Sequence, residues 1–317
     1  MSEKINNQKV FSYKEFLRDI GRRTLIISRW IISRLPYPVF KALTPILIVI
    51  GRPFIRRKKR LALENLHSAL GREKTKEEIA RIARRCFDNI GAGMIDFIYF
   101  LDHPKVILEK VSIEGIENLD DALKKGRGAI LLSAHFGHFI LMYFKMAAAG
   151  YTVNCIMKRM RDERFEEYIS EIRDNNGIQT IYSLPHRTCV SQSLKCLRDN
   201  EVLFILLDQN YGDDGGVFVD FFGKPAATAT GPVIFSSRSG APILPIFIMQ
   251  DSSGQHRITI APPVELESAE AGQVDLVRNT AQLTKIIEGY IRQYPHEWGG
   301  WMHRRWKNKP SAHEDQS

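Results

Sequence analysis

The apolar pattern changes its period along the chain. From Thr24 to Ile55 it is dense but broken: Arg29, Arg34 and Lys41 interrupt it, and Pro36, Pro38 and Pro45 break it. A membrane-spanning helix needs about 20 mostly apolar residues. Leu35–Ile50 comes near that length, with Lys41 able to snorkel. Trp30 and Tyr37 suit an interfacial position, and Arg56-Arg57-Lys58-Lys59-Arg60 follows at once, a cluster suited to anionic headgroups on the cytoplasmic side. Residues 15–60 are therefore expected to form an N-terminal helical membrane anchor, either one short span or a helical hairpin in the interface. An apolar helix pair packed on the body accounts for the same pattern.

Helical spacing follows over Arg60–Leu70 and Lys76–Phe100, where Ile79, Ile82, Ala83, Phe87 and Ile90 recur on one face. Thr75 with Glu77 and Glu78 marks the start of the second helix. From Val111 the rhythm becomes short strand, helix, strand. Strands are predicted at 111–115, 129–133, 152–157, 178–182, 202–207 and 217–222. Helices are predicted at 116–125, 138–149, 163–175, 186–199 and 229–239. Strands at 243–249 and 257–261 flank the turn Asp251-Ser252-Ser253-Gly254 and read as a hairpin. A last amphipathic helix spans 274–293. Alternation of this kind predicts an α/β fold with a mostly parallel central sheet flanked by helices. The expected organisation is an anchor over 1–60, a body over 61–308 and a polar tail over 309–317, with the first residues frayed.

Composition changes this picture in one respect. The chain has 317 residues, 44% hydrophobic and 26% charged, which is ordinary for a folded protein, but its formal net charge is +9. That balance fits an anionic partner: nucleic acid, an anionic membrane or an acidic carrier protein. Nucleic acid rests on charge alone and is not expected. Cys86, Cys155, Cys189 and Cys196 lack paired spacing, and no cleavable signal peptide is evident, so reduced, buried thiols in a cytoplasmic body are expected.

The candidate chemistry lies where strands end. In GAILLSAHFGHFIL (128–141) a buried strand would deliver His135 to the open end of the sheet, where α/β folds bind ligands. His135 reads as a reactive base or as a helix-capping, loop-bonding histidine. Asp208-Gln209-Asn210 follows the 202–207 strand, and Lys158-Arg159-Met160-Arg161 follows the 152–157 strand. An acid, an amide and a base on neighbouring strand ends fit histidine-based acyl transfer. The basic cluster would hold an anionic substrate, or is a solvated loop start. In FVDFFGKPAATATGP (218–232), Thr228, Thr230 and Gly231-Pro232 precede a helix whose N-terminus could meet an acidic head group; a simple cap by Thr230 is the alternative. Dinucleotide, phosphate-loop, zinc-protease and nucleophile-elbow motifs are not found. The pair His135-x-x-His138 has no acidic or cysteine ligand nearby in sequence, so neither a metal nor a cofactor is expected.

Six blocks in order resemble the late acyltransferases of lipid A biosynthesis, within the lysophospholipid acyltransferase superfamily. They are RLALENLHSALG after the basic run, GRGAILLSAHFGHF, RDNNG with Arg173 and Gly177, LLDQN with VFVDFFGKPAATATGP, GAPILP, and WMHRRWKNKP. The resemblance implies a cell inner membrane enzyme facing the cytoplasm. It would move a fatty acyl group from acyl carrier protein onto a hydroxyl of a phosphorylated lipid A precursor, without a cofactor. It implies His135 as general base, with Arg173 and the Lys158–Arg161 cluster serving substrate or charge relay. Lys158, Arg159, Arg161, Arg173, Gln209, Thr228 and Thr230 are the substrate-binding candidates. One departure stands out: the superfamily's H-x4-D/E acid is Ile140 here. Either Asp208 supplies the carboxylate, or the chain is a non-catalytic lipid-binding relative. Another glycolipid or a lysophospholipid is the alternative acceptor.

Overall fold

A computed structural model describes residues 13–52, 56–212, 216–251, 255–268 and 274–310. The start expected to fray, most of the 251–254 turn and nearly all of the polar tail lie outside these residues. Helices α1 (Tyr13–Ile32), α2 (Tyr37–Gly51), α3 (Arg56–Leu70) and α4 (Lys76–Phe100) come first, then α5 (Pro104–Leu108). The alternating part comprises β1 (Val111–Glu114), α6 (Ile116–Leu123), β2 (Ala129–Ser133), α7 (Ile140–Ala148), β3 (Val153–Met157), α8 (Glu163–Asn175), β4 (Ile178–Tyr182), α9 (His186–Arg198) and β5 (Val202–Leu206). It continues through β6 (Gly216–Asp220), β7 (Pro225–Ala229), α10 (Gly231–Ser239), β8 (Ile243–Gln250), β9 (His256–Ile260) and α11 (Leu276–Gln293) to a 3-10 turn at Gly299–Met302.

The described residues form a seven-stranded sheet in the order β1-β9-β8-β2-β5-β3-β4. All its pairings are parallel except β8 with β9, which run antiparallel. Both faces are covered, as parallel sheets require. Successive residues of one strand therefore enter different cores. Ile130 and Leu132 of β2 join Leu203 and Ile205 of β5 on the side of α3, α9 and α11. Ala129 and Leu131 join Val202 and Phe204 on the side of α7 and the end of α4.

Three expectations need correction. The 217–222 segment does not extend the central sheet; as β6 it pairs antiparallel with β7 in a separate two-stranded ribbon. Helix α7 begins at Ile140 rather than His138, because the chain from Ala134 to Phe139 is held as a loop. And among the described residues no helix is long and apolar enough to cross a membrane. Helix α2 has Pro45 inside it and buries Phe40 and Thr44. Phe40 stacks on Tyr99 of α4 with ring centroids 4.4 Å apart. Helices α1 and α2 thus dock on α4 along one face, while Ile26, Trp30, Leu43, Ile46, Leu47 and Ile50 remain exposed.

The start of α4 forms as its sequence dictates. The Glu78 amide donates to Thr75 Oγ1 (3.2 Å) and the Thr75 amide donates to Glu78 Oε2 (2.8 Å), a reciprocal capping box.

Candidate active site

Strands β2 and β5 pair in parallel with Ser133 opposite Leu206. Two residues beyond each lie His135 and Asp208, so the register brings them to the same height at the carboxyl end of the sheet. The Leu207 amide donates to the Ser133 carbonyl (3.0 Å) and carries the ladder past the strand ends. His135 Nδ1 and Asp208 Oδ1 are 2.8 Å apart. Continuing the β3–β5 register, Cys155 opposite Phe204, sets Lys158 opposite Leu207 and Arg159 at the level of Asp208, on the side away from His135.

Asp208 is buried, yet it is ionised. Burial alone would raise its pKa. The charge of His135 and hydrogen bonds from the His135 ring, the Trp298 indole and the His135 backbone outweigh burial and hold it at about 2. The indole Nε1–H of Trp298 donates to Asp208 Oδ2 at 2.7 Å. With its second oxygen taken by the indole, Asp208 offers Oδ1 to the imidazole. The neutral imidazole then carries its proton on Nδ1, leaving the Nε2 lone pair outward. Gln209 Nε2 lies 3.1 Å from that Nε2 and donates to it. Burial acts to lower the His135 pKa, but the Asp208 carboxylate, through charge and hydrogen bond, leaves it raised above 6.5.

The histidine loop is clamped by a segment far along the chain. The Gly299 amide donates to the His135 carbonyl (2.8 Å), and the Gly137 amide donates to the Glu297 carbonyl (2.8 Å). Gly137 has φ +55°, and a Cβ there would strike the Ile248 carbonyl oxygen, so glycine is required. Asn65 of the RLALENLHSALG block donates to the carbonyls of Trp301 and His303, both at 2.8 Å. Arg305 is fully buried and donates to the Gln209 carbonyl (3.0 Å), the Ala227 carbonyl (2.5 Å) and Thr228 Oγ1 (2.6 Å). Burial lowers its pKa to about 10, which leaves it charged.

The other candidates divide. Lys158, Arg159 and Arg161 are exposed, with Arg159 over the Tyr182 ring at 5.2 Å. Gln209 sits on the histidine. Arg173 does not serve a substrate surface: its guanidinium is buried against Glu166 at 2.7 Å. Glu166 in turn accepts from the Met160 amide (2.7 Å) and Tyr182 hydroxyl (3.0 Å), so the pair holds the basic loop in shape. Thr228 is likewise fully buried and supports Arg305. Thr230 occupies the N-cap position of α10, but its side chain makes no capping hydrogen bond. Trp298 and Arg305 are the residues that sequence patterning did not assign. Their only signal was a tryptophan-rich basic run with no periodicity.

A mostly parallel α/β sheet with a histidine–carboxylate pair at its carboxyl end, the histidine's far nitrogen met by the exposed Gln209 side chain, has the arrangement of an acyl-transfer enzyme. The family profile described as bacterial lipid A biosynthesis acyltransferase matches residues 15–308, and the chain belongs to that family as an O-acyltransferase of lipid A biosynthesis. It is similar to the lipid A biosynthesis palmitoleoyltransferase of Escherichia coli (strain K12), 25% identical over 287 residues covering 89% of each chain. It is also similar to the lipid A biosynthesis lauroyltransferase of the same organism, 26% identical over 295 residues, 89% of this chain and 90% of that one. A phosphatidylinositol mannoside acyltransferase of Mycobacterium tuberculosis (strain CDC 1551 / Oshkosh) is 24% identical over 201 residues, 62% of this chain and 61% of that one.

Proposed function

We propose that this enzyme transfers a fatty acyl group from acyl carrier protein to a hydroxyl of a phosphorylated lipid A precursor, at the cytoplasmic face of the inner membrane. The observation that carries the reading is the Asp208–His135 pair, with the Nε2 lone pair directed outward. The acceptor hydroxyl displaces the Gln209 amide and gives its proton to His135 Nε2 as its oxygen attacks the thioester carbonyl. Asp208 stabilises the imidazolium. Collapse of the tetrahedral intermediate breaks the C–S bond, and the imidazolium returns its proton to the leaving thiolate. The carboxylate absent at position 140 is thus supplied from β5.

Exposed Lys158, Arg159 and Arg161 suit the phosphates of the acceptor, and the positive net charge suits an acidic carrier. The exposed apolar residues of α1 and α2, followed by Arg57–Arg60, suit a helix pair lying in the bilayer interface, which brings the acceptor within reach. The test is release of carrier thiol and mass spectrometry of the lipid product, with wild type and His135→Ala. Transfer to a lipid A precursor that His135→Ala abolishes is expected. Wild-type protein that binds the lipid but releases no thiol would refute the reading, and transfer to another glycolipid only would redirect it.

A further inference from the structure

A second polar cluster lies behind the histidine loop, and it takes no part in the chemistry above. His138 is held in a gap opened by Gly93 of α4: a Cβ on Gly93 would come within 2.7 Å of His138 Cδ2. Its Nε2 donates to the Asn89 carbonyl (3.3 Å), which leaves Nδ1 as a bare lone pair. That lone pair faces Asp96 Oδ2 at 3.8 Å. Two acceptors therefore look at each other across a buried gap. His256 of β9 completes the group, its ring centroid 4.4 Å from that of His138. His138 and His256 are 9% and 5% exposed, Asp96 is 2% exposed, and both Nδ1 atoms lack a hydrogen-bond partner among the described residues.

An arrangement of acceptors without protons calls for a cation. Lys41 of α2 reaches one side of Asp96, 3.1 Å from each oxygen, but no hydrogen bond joins it to either histidine.

We propose that Asp96, His138 and His256 form a binding site for a divalent transition-metal cation of the zinc type. One donor atom from each residue lies within 4.8 Å of the others. An ion bonding at about 2.1 Å draws such donors to roughly 3.4 Å, so side-chain movements of about an ångström complete the set. The Asn89 carbonyl already fixes the His138 tautomer from behind, as outer partners of metal-bound histidines do. Lys41, with 30% of its side chain exposed, is the competing cation. When the metal binds, the ammonium swings toward solvent and the site holds one carboxylate and two neutral imidazoles. A cleft of about 390 Å³ between α2 and α4 is lined in part by Lys41 and Asn89, the residues that contact Asp96 and His138. The ion would join α4, the histidine loop and β9.

The experiment uses the full chain, stripped with chelator and dialysed, then titrated with Co²⁺ and separately with Zn²⁺. Expected are visible d–d absorption saturating at one Co²⁺ per chain and a Zn²⁺-dependent rise in melting temperature. Both should vanish in His256→Gln and His138→Gln and persist in His135→Ala. Lys41→Met should tighten Co²⁺ binding by about tenfold or more, the rough scale of a substitution just outside a metal's ligands. That arm keeps the test open even if the buried histidine variants fold poorly. Absence of Co²⁺ absorption in the wild type overturns the proposal. So does absorption that survives both ligand substitutions, or loss in His135→Ala, because either would put the ion elsewhere. None of these readouts requires acyl transfer, so the metal site and the enzymatic reading fail independently.

Discussion

Asp208→Asn is the most informative single change, because Trp298 decides how the new amide must sit. Asp208 now takes the His135 Nδ1–H on Oδ1 and the Trp298 Nε1–H on Oδ2, at 2.8 and 2.7 Å. An asparagine has one acceptor and one donor end. The indole can only donate, so the amide oxygen must turn to Trp298 and the amide NH2 to His135. Nδ1 then becomes an acceptor and the proton moves to Nε2, which leaves no base facing the hydroxyl. The wrong tautomer costs about 10⁴ in kcat in histidine–aspartate catalysis, about 5 kcal/mol at 1.36 kcal/mol per tenfold. The double variant Asp208→Asn/Trp298→Phe removes the donor that imposes this orientation. Its amide can rotate and accept from Nδ1–H, so it recovers about tenfold or more over Asp208→Asn alone. Trp298→Phe by itself loses one hydrogen bond to a charged group, about 1.5–3 kcal/mol, so it falls by no more than about 100-fold. The assay is kcat for thiol release, with melting temperatures to confirm folding. Asp208→Asn retaining more than about a tenth of wild-type kcat would refute the tautomer argument. A double variant no faster than Asp208→Asn would refute the orienting role of the indole.

Three further outcomes follow from the same structure. Arg173→Ala leaves Glu166 buried and unpaired, so it should lower unfolding free energy by about 3–5 kcal/mol in denaturant titrations; a raised acceptor KM with unchanged stability would restore Arg173 to substrate binding. Burial raises the Glu297 pKa from 4.5 to about 7. A carboxyl group with a raised folded-state pKa favours folding below its unfolded pKa and loses that contribution as pH rises from 4.5 through about 7, worth at most about 3 kcal/mol; Glu297→Gln should flatten that part of the pH–stability curve. Gly137→Ala combines a positive φ with a collision at the Ile248 carbonyl and should cost at least about 1–2 kcal/mol in stability, read as a lower denaturation midpoint.

Much of the sheet was legible because a buried parallel strand is a short apolar run, and β2 and β5 are such runs bounded by glycine or polar residues. The His135–Asp208 pairing was legible for the same reason: both residues follow such runs, and parallel register brings strand ends together. Strand β7 was not legible. Pro-Ala-Ala-Thr-Ala has little intrinsic strand preference, and it is extended because β6 pairs with it. The burial of Arg173 was not legible: it is a candidate through its resemblance to a family block, and its buried partner Glu166 lies seven residues earlier on the same helix. Asp96 and His256 are distant from His138 in sequence, so spacing rules for metal ligands had nothing to act on. The apolar N-terminal stretch resembled a span until the alternating faces of α2 were seen, with Phe40 and Thr44 inward and Leu43, Ile46 and Leu47 outward.

The position of Trp298 has a consequence for synthesis. The histidine, its acid and the strands beneath them all precede residue 216, yet the acid's second hydrogen bond and the clamps on the histidine loop come from residues 297–305. A nascent chain therefore has its reactive pair available well before the pair can be correctly held. Until that late segment leaves the ribosome and docks, Asp208 lacks its bond from Trp298 and the histidine loop lacks its clamps. Translation order thus places the residues that hold the pair among the last to be made.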